Sequence, residues 1–266
     1  MSASLNSICQ SLSAIAPLEL AESWDNVGLL VGDRQQSIER VMTCLTISPT
    51  VVEEAIDRSA DLIVAHHPLP FRPLKRINSD TLTGQMLWRL IGHGVAVYSA
   101  HTAFDSASLG INQRWAESLG LRDIRPMVDA ENEDELGSGR VGVLAEPQPA
   151  RELIRRCLTL GSGQIENLRG VGPLDKVCTK VGFACGSGGT FVAAAHRRGC
   201  SLLVTGEATF HQCLEAESLG MALGLLGHYH SERFAMEWFA ERLAEDWPEL
   251  SVWPSECERD PIQPIR

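Results

Sequence analysis

Five side chains of this 266-residue chain are donors of the kind that first-row divalent metals prefer. They are His66 and His67 in DLIVAHHP, Asp105 in SAHTAFD, and His228 and Glu232 in GHYHSE. Each follows an apolar run that reads as a β-strand, so the pattern predicts a metal site at strand ends. Adjacent histidines at a strand end can diverge toward two ions, which favours a dinuclear centre. His228 and Glu232 stand at i and i+4, and at the start of a helix they share one face. A carboxylate between two cations about 3.5–4 Å apart can bridge them through its two oxygens. That role suits Glu232, with Asp105 as a terminal ligand. A single histidine at a strand end is usually a hydrogen-bonded core or surface residue, and the metal reading rests on the five together.

The elements that must position these residues alternate strand and helix. Leu5, Ile8, Leu12 and Ile15 repeat at helical spacing, and Pro17 closes that opening helix. VGLLVG and VMTCLTI read as strands, followed by a helix over 50–59, the strand DLIVA, a helix over 81–92, the strand VAVYS and a helix over 108–119. This is an α/β fold built on mainly parallel sheets. The acidic, glycine-containing segment 127–139, MVDAENEDELGSG, lacks apolar periodicity and is expected to be a linker or exposed loop. The division into domains therefore falls there, with 1–126 as one α/β repeat and 127–266 as the second.

The second half repeats the organisation of the first. RVGVLA is a strand and 150–160 a helix, while KVGFACGSGG, SLLVTGE and MALGLLGH each look like a strand meeting a turn before a helix. DLIVAHHP can be laid over SLLVTGEA, and VAVYSAHTAFD over MALGLLGHYHSE. His101 and Asp105 then fall opposite His228 and Glu232. The first half carries a longer spacer, PLPFRPLKRINSD, which reads as an inserted loop. Ligands of open α/β sheets gather at the carboxyl ends of the strands, so a duplicated pair would supply four such ends to one cleft.

Composition sets the context. Hydrophobic residues make up 44% of the chain, enough for one sizeable domain or two ordinary ones. There are 34 acidic and 23 basic residues, for a net charge of −11. With no Lys/Arg block to neutralise a run of phosphates, duplex nucleic acid is not the expected partner. The eight cysteines include no CxxC pair and read as small buried thiols of a reducing compartment. The opening residues lack a basic start with a continuous apolar stretch, and no later apolar run reaches about 18 residues. A cytoplasmic protein with no membrane span is expected.

At these same residues the chain resembles the GTP cyclohydrolase I type 2 homologue family, also called NIF-three-like dinuclear metal-centre proteins. The segments that carry the resemblance are ESWDNVGLLVGD, DLIVAHHPLPF, HTAFDSASLGIN, GSGRVG, VGFACGSGGTF, LLVTGEATFH and GHYHSE, in order along nearly the whole chain. The resemblance implies two intertwined α/β repeats, a toroidal homohexamer with its metal sites facing an internal cavity, and two divalent ions per subunit. By position it implies His66 and Asp105 on one ion, His67 and His228 on the other, and Glu232 bridging both. Many members carry Asn where this chain has Ala103, a position that is not a ligand. Larger members insert a domain between the halves, for which the acidic segment is too short.

Further polar groups are expected near the ions. His101 is a candidate substrate-contacting or proton-transfer residue, and otherwise a helix cap. Glu207 and His211, in TGEATFH, are candidates for exchanging a proton with a metal-bound water, and otherwise are solvent-facing caps. Trp24, Asp25 and Asn26 offer a ring and two polar edges to a substrate, unless Trp24 is simply buried. Gly186, Gly188 and Gly189 lack the GKS or GKT of a phosphate loop and read as a tight strand-to-helix turn. These readings predict hydrolysis of a small metabolite, nucleotide-like or phosphorylated, by a phosphoesterase, amidohydrolase or ring-opening reaction. The alternative is a non-catalytic, chaperone-like assembly tied together by its ions. The donor set suits zinc, iron, manganese, nickel or cobalt alike.

Overall fold

Two strands of the first half, Leu62–Ala65 and Ala96–Ser99, are buried along their whole length and lie side by side. In the computed structural model, which describes residues 3–130, 133–160, 168–263 and 265, that half contributes β1 (Ala3–Ser4), α1 (Leu5–Ile15), β2 (Gly28–Val31) and β3 (Ser37–Ile38). It continues with β4 (Arg40–Cys44), α2 (Pro49–Asp57), β5 (Leu62–Ala65), α3 (Leu82–Gly92), β6 (Ala96–Ser99) and α4 (His101–Ser106). Next come α5 (Ile111–Ser118), β7 (Leu121–Ala130), β8 (Glu133–Pro149), α6 (Ala150–Leu160), β9 (Arg169–Val171) and β10 (Val177–Ala184). The chain ends through α7 (Val192–Arg197), β11 (Leu202–Thr205), α8 (Phe210–Ser218), β12 (Ala222–Leu225), α9 (His228–Glu232), α10 (Phe234–Asp246) and β13 (Ser251–Pro254).

Two compact units result. The first takes 1–104 and 235–259, the second 105–234 and 260–266, so the chain leaves the first unit and later returns to it. The sheet of the first unit has the order β13-β4-β5-β6-β2, with β13, β4, β5 and β6 parallel and β2 antiparallel. Residues such as Ile63, Val64, Val97 and Tyr98 face helices or other elements on both sides, which is why these strands read as unbroken apolar runs. The opening helix α1 starts where the Ser4 side chain accepts a hydrogen bond from Ser7 N–H. It buries Leu5, Ile8, Cys9, Leu12 and Ile15 and ends before Pro17. The returning segment is held by the buried Glu54 carboxylate, which accepts from Ser255 Oγ at 2.6 Å and from the Glu256 and Cys257 N–H groups.

The second unit has a six-stranded sheet, β7-β8-β10-β11-β12-β9, in which β10, β11 and β12 are parallel and the rest antiparallel. The duplication is visible in the connectivity. In each unit three parallel strands are joined by helices, β4-α2-β5-α3-β6 and β10-α7-β11-α8-β12. In each, a strand from earlier in the chain, β2 or β9, lies antiparallel beside the last of the three. The segment PLPFRPLKRINSD is indeed a loop without helix or strand, between β5 and α3.

One expectation fails. Of the expected linker 127–139, residues 127–130 belong to β7 and 133–139 to β8, an antiparallel pair at the end of the sheet; 131 and 132 lie outside the described residues. The physical reason is pairing. β7 is the edge strand and β8 lies between it and β10, so backbone pairing, and not apolar alternation, makes these residues strands.

Candidate metal centre

The candidate ligands stand where both sheets end. In the first unit Cys44, Ala65 and Ser99 are level partners in the register, so β4, β5 and β6 finish together. His66 and His67 follow β5 directly and His101 follows β6 by two residues. The ladder continues into them: His66 N–H donates to Cys44 O, and the His66 carbonyl accepts from His101 N–H and Ser99 Oγ. One ring nitrogen from each of His66, His67 and His101 lies within 4.8 Å of the other two. Their ring centroids are 5.1 to 5.5 Å apart, with His101 edge-on to the other two. His66 is 1% exposed. Three imidazoles converging around a buried member is a donor set that fits a borderline divalent cation.

His101 is held there against its backbone preference. Its φ of 24° lies in the left-handed region, a cost of about 1–3 kcal/mol that persists only where the surroundings impose it. The surroundings are Asp25, whose Oδ1 lies 2.7 Å from His101 Nδ1. The same carboxylate accepts from Thr102 N–H, Thr102 Oγ1 and Asn26 N–H. Burial alone would raise the Asp25 carboxyl, but the hydrogen bonds from His101 and Thr102 and the His101 charge hold it down to about 2. A carboxylate ionised in this way can only accept, so His101 Nδ1 carries the proton shared with Asp25.

In the second unit Ala184, Thr205 and Leu225 are level, and Cys185, Glu207 and His228 follow these strands. His228 opens α9, and its Nε2 lies 3.2 Å from Glu232 Oε2, one turn on. Glu207 approaches the other ring nitrogen, with Oε1 3.3 Å from Nδ1. Asp105 accepts from the Cys185 thiol at 3.1 Å, and Asn112 ties the Asp105 carbonyl to the Cys185 N–H. Gly186 makes the space. A Cβ at Gly186 would overlap Glu232 Oε1 and stand 3.3 Å from His228 Nε2.

The hydrogen bond that His228 donates to Glu232 raises its pKa to about 9 against its burial, with the charges of Glu232, Glu207 and Asp105 acting in the same direction. Three carboxylates around one imidazole are a set that a divalent cation would neutralise. Without metal, the raised pKa contributes stability that is full below about 6.5 and lost as pH rises through about 9. NMR titration of metal-free protein is expected to give His228 a midpoint near 9, and zinc near pH 7 is expected to displace its proton. A midpoint near 6.5 would contradict this account of the site.

The sequence-selected residues thus fall in two groups. His66, His67 and His101 come together in the first unit, and Asp105, Glu207, His228 and Glu232 in the second. His211 is not drawn in: it is exposed on the first turn of α8 beside Phe210. Trp24 is not buried but 60% exposed, with its ring 5.9 Å from Phe71 and 6.0 Å from His101. Asp25 and Asn26 are occupied, the one by His101 and the other by the Pro70 carbonyl. Cys185 went unsingled in the sequence. Burial, Asp105 and Glu232 keep its thiol well above the ordinary range and protonated. Its place after a strand that the repeat aligns with other site strands was the available signal.

Fold and site together define an α/β protein whose histidine and carboxylate groups at strand ends could hold a metal ion. A model of the Duf34/NIF3 (NGG1p interacting factor 3) family matches residues 3–261, and the chain belongs to that family. It is 37% identical over 228 residues to a Clostridium perfringens protein named GTP cyclohydrolase 1 type 2 homolog, covering 86% of each chain. It is 33% identical over 230 residues to a Helicobacter pylori protein named GTP cyclohydrolase 1 type 2, covering 85% of this chain and 86% of that one. Among solved structures, a Bacillus cereus protein related to NIF3 matches with a TM-score of 0.89 at 21% identity, over 99% of both chains. Among the described residues no helix is long and apolar enough to cross a membrane.

Proposed function

We propose that this chain is a divalent-metal-dependent hydrolase of a small, nucleotide-like or phosphorylated metabolite. His66, His67, Asp105, His228 and Glu232 are the proposed ligands, for two ions per subunit. The observation that carries the reading is the repetition of one arrangement, imidazoles and carboxylates at level ends of parallel strands, in both units. The names of the Clostridium and Helicobacter relatives favour a nucleotide-like substrate. A homohexamer and a cytoplasmic location belong to the proposal through the family.

Bound divalent ions would supply hydroxide near neutral pH and stabilise charge developing on a phosphoryl or carbonyl oxygen. The chain's own residues prepare for that chemistry. His101, its Nδ1 proton fixed on Asp25, offers Nε2 to accept or hold a proton. Glu207 is placed to steady the His228 ring through Nδ1. Trp24 and Phe71 stand as exposed rings beside His101, where a planar group can lie against them. His211, exposed on α8, is retained only as a candidate proton carrier.

The test is turnover of a panel of phosphorylated, amide and nucleotide substrates by metal-loaded protein, wild type against Glu232→Gln. The expected result is hydrolysis of at least one class by wild type and a loss of about 100-fold or more in the variant. Equal turnover by the two proteins would overturn the assignment. No turnover of any class by protein with its metal bound would favour the non-catalytic assembly.

A further inference from the structure

We propose that Thr46 is a positioning residue for His67, and that Glu258, in the returning C-terminal segment, holds Thr46 in place so that His67 meets a metal only through Nε2. The inference rests on the metal reading of His67 given above.

The turn after β4 is a bracket around His67. The Leu45 carbonyl accepts from His67 N–H at 2.8 Å, and the hydroxyl of Thr46 stands 2.7 Å from His67 Nδ1. Main chain and ring are thus gripped by two consecutive residues. With Nδ1 occupied by the hydroxyl, Nε2 is the ring atom left to a cation, and with metal on Nε2 the Nδ1 proton is donated to Thr46 Oγ1. An imidazole ligand whose second nitrogen is held in this way keeps its orientation and tautomer.

The bracket is itself held from far along the chain. Glu258 is 5% exposed, and its carboxylate accepts from Thr46 N–H at 2.6 Å and Leu45 N–H at 3.0 Å. These are charge-assisted hydrogen bonds to main chain, among the stronger kinds available. The carboxylate satisfies the buried Leu45 N–H and, through the N–H of the next residue, also fixes the exposed Thr46, whose hydroxyl is thereby placed against one imidazole. In the first unit His101 is held likewise, through Nδ1 by Asp25, so the same ring atom is gripped in both imidazoles.

The experiment is a Zn²⁺ titration of the full chain, comparing wild type with Thr46→Val, Thr46→Ser and Glu258→Gln, together with ring-nitrogen NMR of His67 in the metal-free proteins. Valine keeps the shape of threonine at an exposed position, so folding is not at stake. Thr46→Val is expected to weaken Zn²⁺ binding by about 10–100-fold, the usual effect of removing such a partner. Thr46→Ser should stay close to wild type, and Glu258→Gln should fall between. The His67 Nδ1 resonance should move in the valine variant and not in the serine one. Valine binding Zn²⁺ as tightly as wild type, or serine as weakly as valine, overturns the proposal and leaves the metal reading standing. A wild type that takes up no Zn²⁺ overturns both.

Discussion

Replacing Gly186 with alanine is expected to cost the protein both stability and metal. Gly186 has φ +56°, in the left-handed region, where an alanine pays about 1–2 kcal/mol. The added methyl would also occupy the space of Glu232 Oε1 and crowd His228 Nε2. Glu232 is 3% exposed and has little room to retreat. The backbone around Gly186 is fixed too, since its N–H donates to Ser231 Oγ and its carbonyl accepts from Glu207 N–H. The carboxylate is therefore the part that must move, and with it the proposed ligand pair. Zinc affinity measured by competition with a chelator should fall about 10-fold or more, comparable to the loss of a positioning group, and the melting temperature should drop. Unchanged affinity in a folded Gly186→Ala protein would contradict the placement of Glu232 beside His228 as ligands.

Arg140→Met should be the most destabilising of the substitutions considered, by about 3–4 kcal/mol in chemical denaturation. Arg140 is 1% exposed and its guanidinium donates to four carbonyls, those of Gly137, Gly139, Ser106 and Ala107, and to Gln113 Oε1. Burial lowers its pKa to about 10, so it remains charged at neutral pH. Methionine fills most of the volume but strands these acceptors without donors in the interior. Ser106 and Ala107 directly follow Asp105, so the same variant should also loosen that carboxylate and its contact with Cys185. A cost below about 1 kcal/mol, the size of a single ordinary hydrogen bond, would mean that water replaces the guanidinium and that the network is dispensable.

The parts of the fold legible in the sequence were those with local causes. The runs LIVA and AVYS are continuous apolar segments because both faces of β5 and β6 are covered, and such runs announce themselves. The end of α1 before Pro17 and the pairing of His228 with Glu232 across one helical turn are likewise local. The return of β13 to lie beside β4 was not legible, because Ser251 and Arg40 carry no mark of their partnership. The acidic stretch in β7 and β8 was misread because pairing of the two strands with each other, and not apolar alternation, defines them.

The site divides in the same way. Histidines after strands could be picked out by type and spacing, and the repeat added Glu207. The groups that hold them could not. Asp25 looked like a substrate contact because its real partner, His101, is remote in sequence. Thr46, Glu258 and Cys185 act through distances that only folding closes. His211 shares the segment of Glu207 but lies on the exposed face of α8, since a helix begun at Phe210 turns successive residues to different sides.

The measurement closest to the central claim is elemental mass spectrometry of the full chain purified without an affinity tag, as isolated and after equilibration with divalent metals. The account predicts close to two ions per chain. No bound metal, and none taken up on equilibration, would contradict it.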